Sequence, residues 1–350
     1  MMKIAIDGMG GDFGPHPIAE GVIAALKERE DFTPYLVGDE GQLRALLPAE
    51  YHSRVRFINS SDVIGMDESA TDAIRRREST IYKSIELLRN REVDGVVSAG
   101  HSGATMSLAT LRLGRIKGIK RPAIVAFMPN RAGGYTLVLD VGANVDCDPV
   151  NLYQFGIMGE VYGQVFLRRE EIRVGLLSNG EERSKGNSVT KRAYQLLEHY
   201  PWFIGNVEGG DIFNGSVDVV VCDGFIGNIV LKTSEGAGEV IGEFIKKGIK
   251  EGNWLIKLGA FLMKPLFESL KRRIDYAEYG GAPLLGVKGC VIISHGKSNS
   301  KAIKNAIFQA LNYVENRVTD RIEEMLQRNG VTQQGPEVQP IKKGADVWEN

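Results

Sequence analysis

Val96-Val97-Ser98-Ala99-Gly100-His101-Ser102-Gly103-Ala104 is the stretch on which both the fold and the chemistry turn. An apolar run from Asp94 to Val97 passes into small residues and then into a helical stretch, Ala104 to Gly114. So tight a strand-to-helix turn leaves backbone N–H groups, and the positive end of a helix dipole, facing open space. That environment suits an anion, phosphate first among them. Small residues also satisfy a purely steric turn, so this segment alone does not separate the two readings. Repetition favours the anion.

Five further apolar runs stop at polar residues and glycine. They are Ile4-Ala5-Ile6 before Asp7-Gly8, Leu137 to Leu139 before Asp140-Val141-Gly142-Ala143-Asn144, and Val174 to Leu177 before Ser178-Asn179-Gly180. Val219 to Val221 precedes Cys222-Asp223-Gly224, and Val291 to Ile293 precedes Ser294-His295-Gly296. Strands this uniformly apolar are covered on both faces, as in a parallel sheet. Helical stretches separate them, at about 16–28, 78–90, 103–114, 149–167, 187–199, 227–249 and 298–327. The alternation predicts an α/β fold with ligand groups at the carboxyl ends of the strands. Asp7, Ser98, Asp140, Asn144, Asn179, Asp223 and His295 are expected to line one rim.

With 350 residues the chain is long enough for a large core or two subdomains. Its 43 Lys and Arg balance 44 Asp and Glu, so net charge gives no argument for a nucleic-acid partner. Cys147, Cys222 and Cys290 are scattered without metal-ligand spacing, and the last two sit in apolar strands as core residues. No disulfide framework is implied, which makes a reducing cytoplasm the default. A strand is expected from Lys3 with no signal peptide before it, and no apolar run in the sequence is long enough to span a bilayer. The tail from Arg328 is expected to be mobile.

Two nucleotide motifs nearly fit and fail. Gly8 and Gly10 match the first glycines of a dinucleotide fingerprint, but Phe13 stands at the third and Pro15 and Pro17 follow. Gly296-Lys297-Ser298 resembles the end of a P-loop, with Val291 where the leading glycine is required. Gly100-His101-Ser102-Gly103-Ala104 approaches a nucleophile elbow, which would make Ser102 an acyl acceptor with His16 or His295 as its base. A phosphate loop fits the small residues better. In Gly180 to Asn187, Lys185 can stand beside an anion as a mobile cation. Asn228, near a helix start, can donate to an oxyanion. A solvated loop and a plain N-cap are the corresponding bland readings.

Residues 253–273 form an amphipathic helical segment. Lys257, Lys264, Glu268 and Lys271 share one face, and Leu255, Leu258, Leu262, Leu266 and Leu270 cover the other. Trp254 and Phe261 fall nearer the lysines, where interfacial aromatics sit, and Pro265 splits the stretch in two. The segment suits either reversible contact with a membrane or a subunit interface. Arg75, Arg76 and Arg77, with Arg112, Arg115, Lys117, Lys120 and Arg121, form basic patches able to dock an acidic partner.

Taken in order, several motifs resemble the bacterial phosphate acyltransferases of phospholipid synthesis. They are Ala5-Ile6-Asp7-Gly8-Met9-Gly10-Gly11-Asp12, Ser98 to Ala104, Gly114 to Pro122 and Leu139 to Asn144. Lys185-Gly186-Asn187, Phe203 to Glu208, Asp223 to Asn228 and Tyr279 to Ala282 extend the match, which runs from Met2 to Gln327. The family's loop often has Asn where His101 stands, which argues against an essential imidazole.

The resemblance implies transfer of a fatty acyl group from acyl-carrier protein to inorganic phosphate. The acyl phosphate then feeds a membrane glycerol-3-phosphate acyltransferase. It also implies a three-layer α/β/α fold like that of isocitrate and isopropylmalate dehydrogenases. That fold has two intertwined subdomains over residues 1–327, forms a homodimer, and uses no metal and no cofactor. Carried onto this chain, Ser98, Gly100, His101, Ser102 and Gly103 bind phosphate. Lys185 and Asn228 act in catalysis with Asp223 as an orienting group, and Asp7, Asp140, Asn144 and Asn187 complete the rim. Arg75, Arg76, Arg115, Lys117 and Lys120 dock the acidic carrier. Trp254, Leu258, Phe261, Leu262 and Leu266 touch the inner face of the cell membrane. The competing readings are a membrane-docked scaffold without turnover and a ping-pong enzyme acylated at Ser102.

Overall fold

The computed structural model describes residues 1–274 and 276–331. Of the tail at 328–350, residues 332–350 lie outside the described residues. Among the described residues, eleven strands form one sheet. They are β1 (Met2–Asp7), β2 (Phe32–Gly38), β3 (Arg56–Asn59), β4 (Gly95–Ser98), β5 (Ala123–Pro129) and β6 (Tyr135–Leu139). The rest are β7 (Val174–Leu177), β8 (Phe203–Val207), β9 (Val219–Val221), β10 (Ala282–Leu285) and β11 (Cys290–Ile293). The helices are α1 (Pro15–Glu28), α2 (Glu40–Leu46), α3 (Thr80–Arg89), α4 (Ser102–Leu108), α5 (Pro149–Leu167) and α6 (Ser188–Leu197). They continue as α7 (Asp211–Asn214), α8 (Gly224–Glu251), α9 (Trp254–Leu262), α10 (Lys264–Ile274), α11 (Ser300–Glu315) and α12 (Val318–Arg328).

Strand order across the sheet is β3-β2-β1-β4-β11-β10-β5-β6-β9-β7-β8. The first five run parallel, as do the last four. Between them β10 is antiparallel to β11 and to β5, and β5 is antiparallel to β6. Three successive reversals leave the two parallel halves running in opposite directions. The expectation of a single rim therefore fails. Asp7, Ser98 and His295 stand on one edge of the sheet, and Asp140, Asn144, Asn179 and Asp223 stand on the other.

Alternation along each strand explains the layers. Ile4, Ile6, Val97, Leu139 and Val219 point to a core shared with α1, α5 and α11. Ala5, Val96 and Val291 point the opposite way, into a cluster with α3 and α4, while Val138, Val220 and Cys222 do so beneath α8. Both faces are thus covered, as the apolar runs required. Helix α5 is buried on nearly every side, and Gly156, Gly159 and Gly163 let it approach its neighbours. A Cβ on Gly159 would stand 2.7 Å from Val219 Cγ1.

Residues 298–327 make two helices, because Arg317 takes a left-handed φ of 49° and turns the chain between α11 and α12. At Met263 the 253–273 segment breaks into α9 and α10, with Pro265 in the first turn of α10.

Candidate functional site

On the first edge, Asp7 closes β1 as a buried carboxylate. Ser98 Oγ donates to its Oδ2 at 2.8 Å, Met9 N–H donates to its Oδ1 at 3.4 Å, and Gly100 N–H donates to Ser98 Oγ at 3.1 Å. Burial raises the Asp7 carboxyl above its ordinary range, against the pull of these bonds. A Cβ on Gly10 would meet Asp7 Oδ2 at 2.6 Å and Gly100 N at 2.7 Å. The glycines that imitate a dinucleotide fingerprint thus bring two backbones together, and Phe13, at the missing third glycine, is exposed.

Helix α4 begins at this edge. His101 caps it, with Nδ1 accepting Ala104 N–H at 3.1 Å, so the proton of the neutral ring sits on Nε2. The cap ties up the ring nitrogen nearest the turn, and Ser102 is exposed beside it. Among the described residues, the N–H groups of His101, Ser102 and Gly103 have no protein acceptor. That row of donors is the part of the loop open to an anion.

On the second edge, Asp140 is fully buried and accepts from the N–H groups of Ile124 (3.0 Å), Gly142 (3.3 Å), Ala143 (3.0 Å) and Asn144 (2.7 Å). Asn144 Nδ2 adds a bond at 2.9 Å and donates to Pro122 O at 2.7 Å. Both side chains are engaged inside the protein, so they build the edge and do not face a ligand. Helix α8 is pressed onto this knot through Gly224 and Gly227. Asp223 is its N-cap, accepting Ile226 N–H at 2.9 Å, and Asn187 caps α6 by accepting Val189 and Thr190 N–H groups at 3.0 and 2.9 Å. Both side chains are engaged as helix N-caps.

Asn228 is exposed one turn into α8, its Oδ1 3.8 Å from where a Cβ on Gly142 would stand. Lys185 is also exposed, with its stem lying on Gly180, and it has no ion pair among the described residues. Both stand open on this edge, as does Asn179. No three His, Cys, Asp or Glu side chains gather into a metal-holding group among the described residues.

The basic patches divide. Arg75, Arg115 and Lys117 are exposed. Lys120 is paired with Asp148, and Arg115 donates to the Lys120 carbonyl. Arg76 is held inside its own loop by Asp62 and Glu68, so it does not stand free to dock a carrier. The apolar residues of α9 and α10 are bare: Trp254 is 69 % exposed, Phe261 71 % and Leu262 70 %, with Leu258 and Leu266 also exposed. Phe225, Ile241 and Phe244 extend the surface along α8. An apolar array of this extent marks an interaction surface. None of the described helices is long and apolar enough to cross a membrane.

The family described as "Fatty acid synthesis protein" matches residues 2–321. The chain is 57% identical over 327 residues to a phosphate acyltransferase of Nitratiruptor sp., covering 93% of this chain and 98% of that one. It is 61% identical over 327 residues to a phosphate acyltransferase of Aliarcobacter butzleri, with the same coverage. Among solved structures, a phosphotransacetylase from Streptococcus pyogenes aligns with a TM-score of 0.60 at 18% identity, covering 90% of this chain and 94% of that chain. At that identity the structural likeness carries the fold alone.

Proposed function

The chain belongs to the fatty acid synthesis protein family, as a phosphate acyltransferase, and from that premise we propose that it transfers a fatty acyl group from acyl-carrier protein to inorganic phosphate. The observation that carries the reading is the open row of N–H groups at His101 to Gly103, held in place by the buried Asp7–Ser98 pair. Phosphate dianion bound there needs little help to act as a nucleophile at neutral pH. One phosphate oxygen attacks the thioester carbon, the C–S bond breaks, and the thiolate leaves to take a proton. Proximity and orientation supply most of the acceleration.

Lys185 and Asn228 fit charge stabilisation, the first on phosphate and the second on the developing oxyanion. A single chain holds them on the edge opposite the anion loop. A site using both is therefore built from two copies, one giving the loop and the other giving Lys185 and Asn228. The bare apolar surface of α8 supports such a homodimer, and that of α9 and α10 supports reversible seating on a membrane. There the acyl phosphate passes to a membrane acyltransferase. Arg75, Arg115 and Lys117 supply positive charge for the acidic carrier.

The test is incubation with palmitoyl-acyl-carrier protein, with and without phosphate, trapping acyl phosphate as its hydroxamate. Product that depends on both enzyme and phosphate is expected. Intact thioester after long incubation rejects the reading in favour of a scaffold. An acid-stable acyl adduct on Ser102 replaces the direct attack with a ping-pong route.

A further inference from the structure

Residues 60–79 leave β3 and return to α3 as a closed loop. Its base is tied by Ser60 Oγ donating to Glu78 O at 2.6 Å and by Thr80 N–H donating to Asp62 O at 2.9 Å. Its body is tied by one guanidinium. Arg76 Nε donates to Asp62 Oδ2 at 2.9 Å and Nη2 donates to Val63 O at 2.8 Å. The same group pairs with Asp62 Oδ1 and with Glu68 Oε2, while Glu68 Oε1 accepts Gly65 N–H at 2.9 Å. Four acceptor atoms at three chain positions are gathered by a planar fork, a geometry that an ammonium cannot copy.

Held in this way, the loop lies over the first edge. A Cβ on Gly103 would stand 3.2 Å from Ala70 Cβ, and one on Gly296 would stand 2.8 Å from Met66 Cε. The short turn Asp72–Ile74 packs on α4, and Ile64 and Ala73 are buried in the cluster beneath it. Among the described residues, the polar partners of the Arg76 guanidinium are Asp62, Val63 and Glu68, none of them on α4 or at the open N–H groups. Its influence on them passes through the loop.

We infer that Arg76 is a positioning residue that latches residues 62–70 as a cover over the anion loop, enclosing phosphate and keeping water from the thioester. The inference rests on the acyl-transfer reading above. Partly exposed ion pairs contribute about 0–1 kcal/mol each to stability, so losing Arg76 leaves the global fold in place. Its effect is local to the cover. When the cover opens, water competes with phosphate for the thioester carbon, and the C–S bond breaks to give free fatty acid and carrier thiol.

Arg76→Ala and Arg76→Lys test this with two readouts. The first is the ratio of free fatty acid to hydroxylamine-trapped acyl phosphate, with the phosphate KM. The second is hydrogen exchange at residues 62–70 and 99–104. Arg76→Ala is expected to raise the phosphate KM about tenfold, raise the fatty acid ratio, and speed exchange in both segments at an unchanged melting temperature, with Arg76→Lys intermediate. Wild-type KM, ratio and exchange in a folded Arg76→Ala protein overturn the latch. If the wild type makes no acyl phosphate, the acyl-transfer reading falls separately. Exchange at 99–104 then decides the latch: faster in the variant supports it, unchanged overturns it. Should Arg76→Ala fail to fold, Glu68→Gln breaks one arm of the fork and is read in the same way.

Discussion

Gly227 lies so close to Asp140 that a Cβ added to it would sit 1.9 Å from the Asp140 carbonyl oxygen. The contact is backbone to backbone, so no side-chain rotation relieves it. Gly227→Ala must push α8 off the Asp140–Asn144 knot or distort the knot itself. Overpacking of this kind costs about 1–3 kcal/mol or more. A drop in melting temperature of several degrees is expected by calorimetry; an unchanged melt means that α8 sits elsewhere in solution.

Asp7 gives a pH signature. Its folded carboxyl is raised above the ordinary value by burial, so the folded state binds a proton more readily than the unfolded chain. The stability this contributes is fully present below the unfolded pKa and is lost as pH rises through the folded one. Asp7→Asn removes the titrating group and keeps an acceptor for Ser98 Oγ. The melting temperature of Asp7→Asn relative to wild type should therefore climb as pH rises from 4 toward neutrality. A constant difference across that range contradicts the buried carboxylate.

The two-edge arrangement makes a complementation prediction. Lys185→Ala is expected to raise the phosphate KM or lower kcat, and Gly103→Leu to block the anion loop. Co-expressed, the two variants form mixed dimers with one intact site of two, restoring about a quarter of wild-type activity after random pairing. No recovery in purified mixed dimers places both groups of one site on one chain.

Phe261→Glu combined with Leu262→Glu puts charge on the bare face of α9 and α10. Flotation with anionic liposomes should be lost while acyl phosphate formation in solution persists. Dissociation to monomers without loss of flotation assigns the face to the second subunit instead.

Strand identity was legible where burial alone defines it, as at Val96-Val97, Leu137 to Leu139 and Val219 to Val221. Direction was not legible. An apolar run shows that both faces are covered and says nothing about which way the strand points. The reversal lies in β5 and β10, neither of which is among the six runs that were read, although Gly286 closes β10 just as glycine closes those runs. A signal did exist at Asn130 to Gly134, where Gly133 adopts φ 81° and Asn130 N–H donates to Gly134 O at 3.0 Å, closing the β5–β6 hairpin. Gly133-Gly134 between two apolar runs announces such a turn. Arg76 was opaque for another reason. Its partners Asp62 and Glu68 lie at spacings set by an irregular loop, with no periodicity to reveal them.

β11 inserts beside β4, with Val291 opposite Val96, although the whole second half of the sheet lies between them in the chain. During synthesis the β1-β2-β3-β4 unit must therefore wait with one apolar strand edge unpaired, while β6 through β9 already have all their partners. Such an edge is a template for pairing with another chain. A chain arrested before Cys290 therefore carries an earlier half whose open strand edge is prone to aggregate, and a later half whose strands are paired but whose α5 still lacks α12.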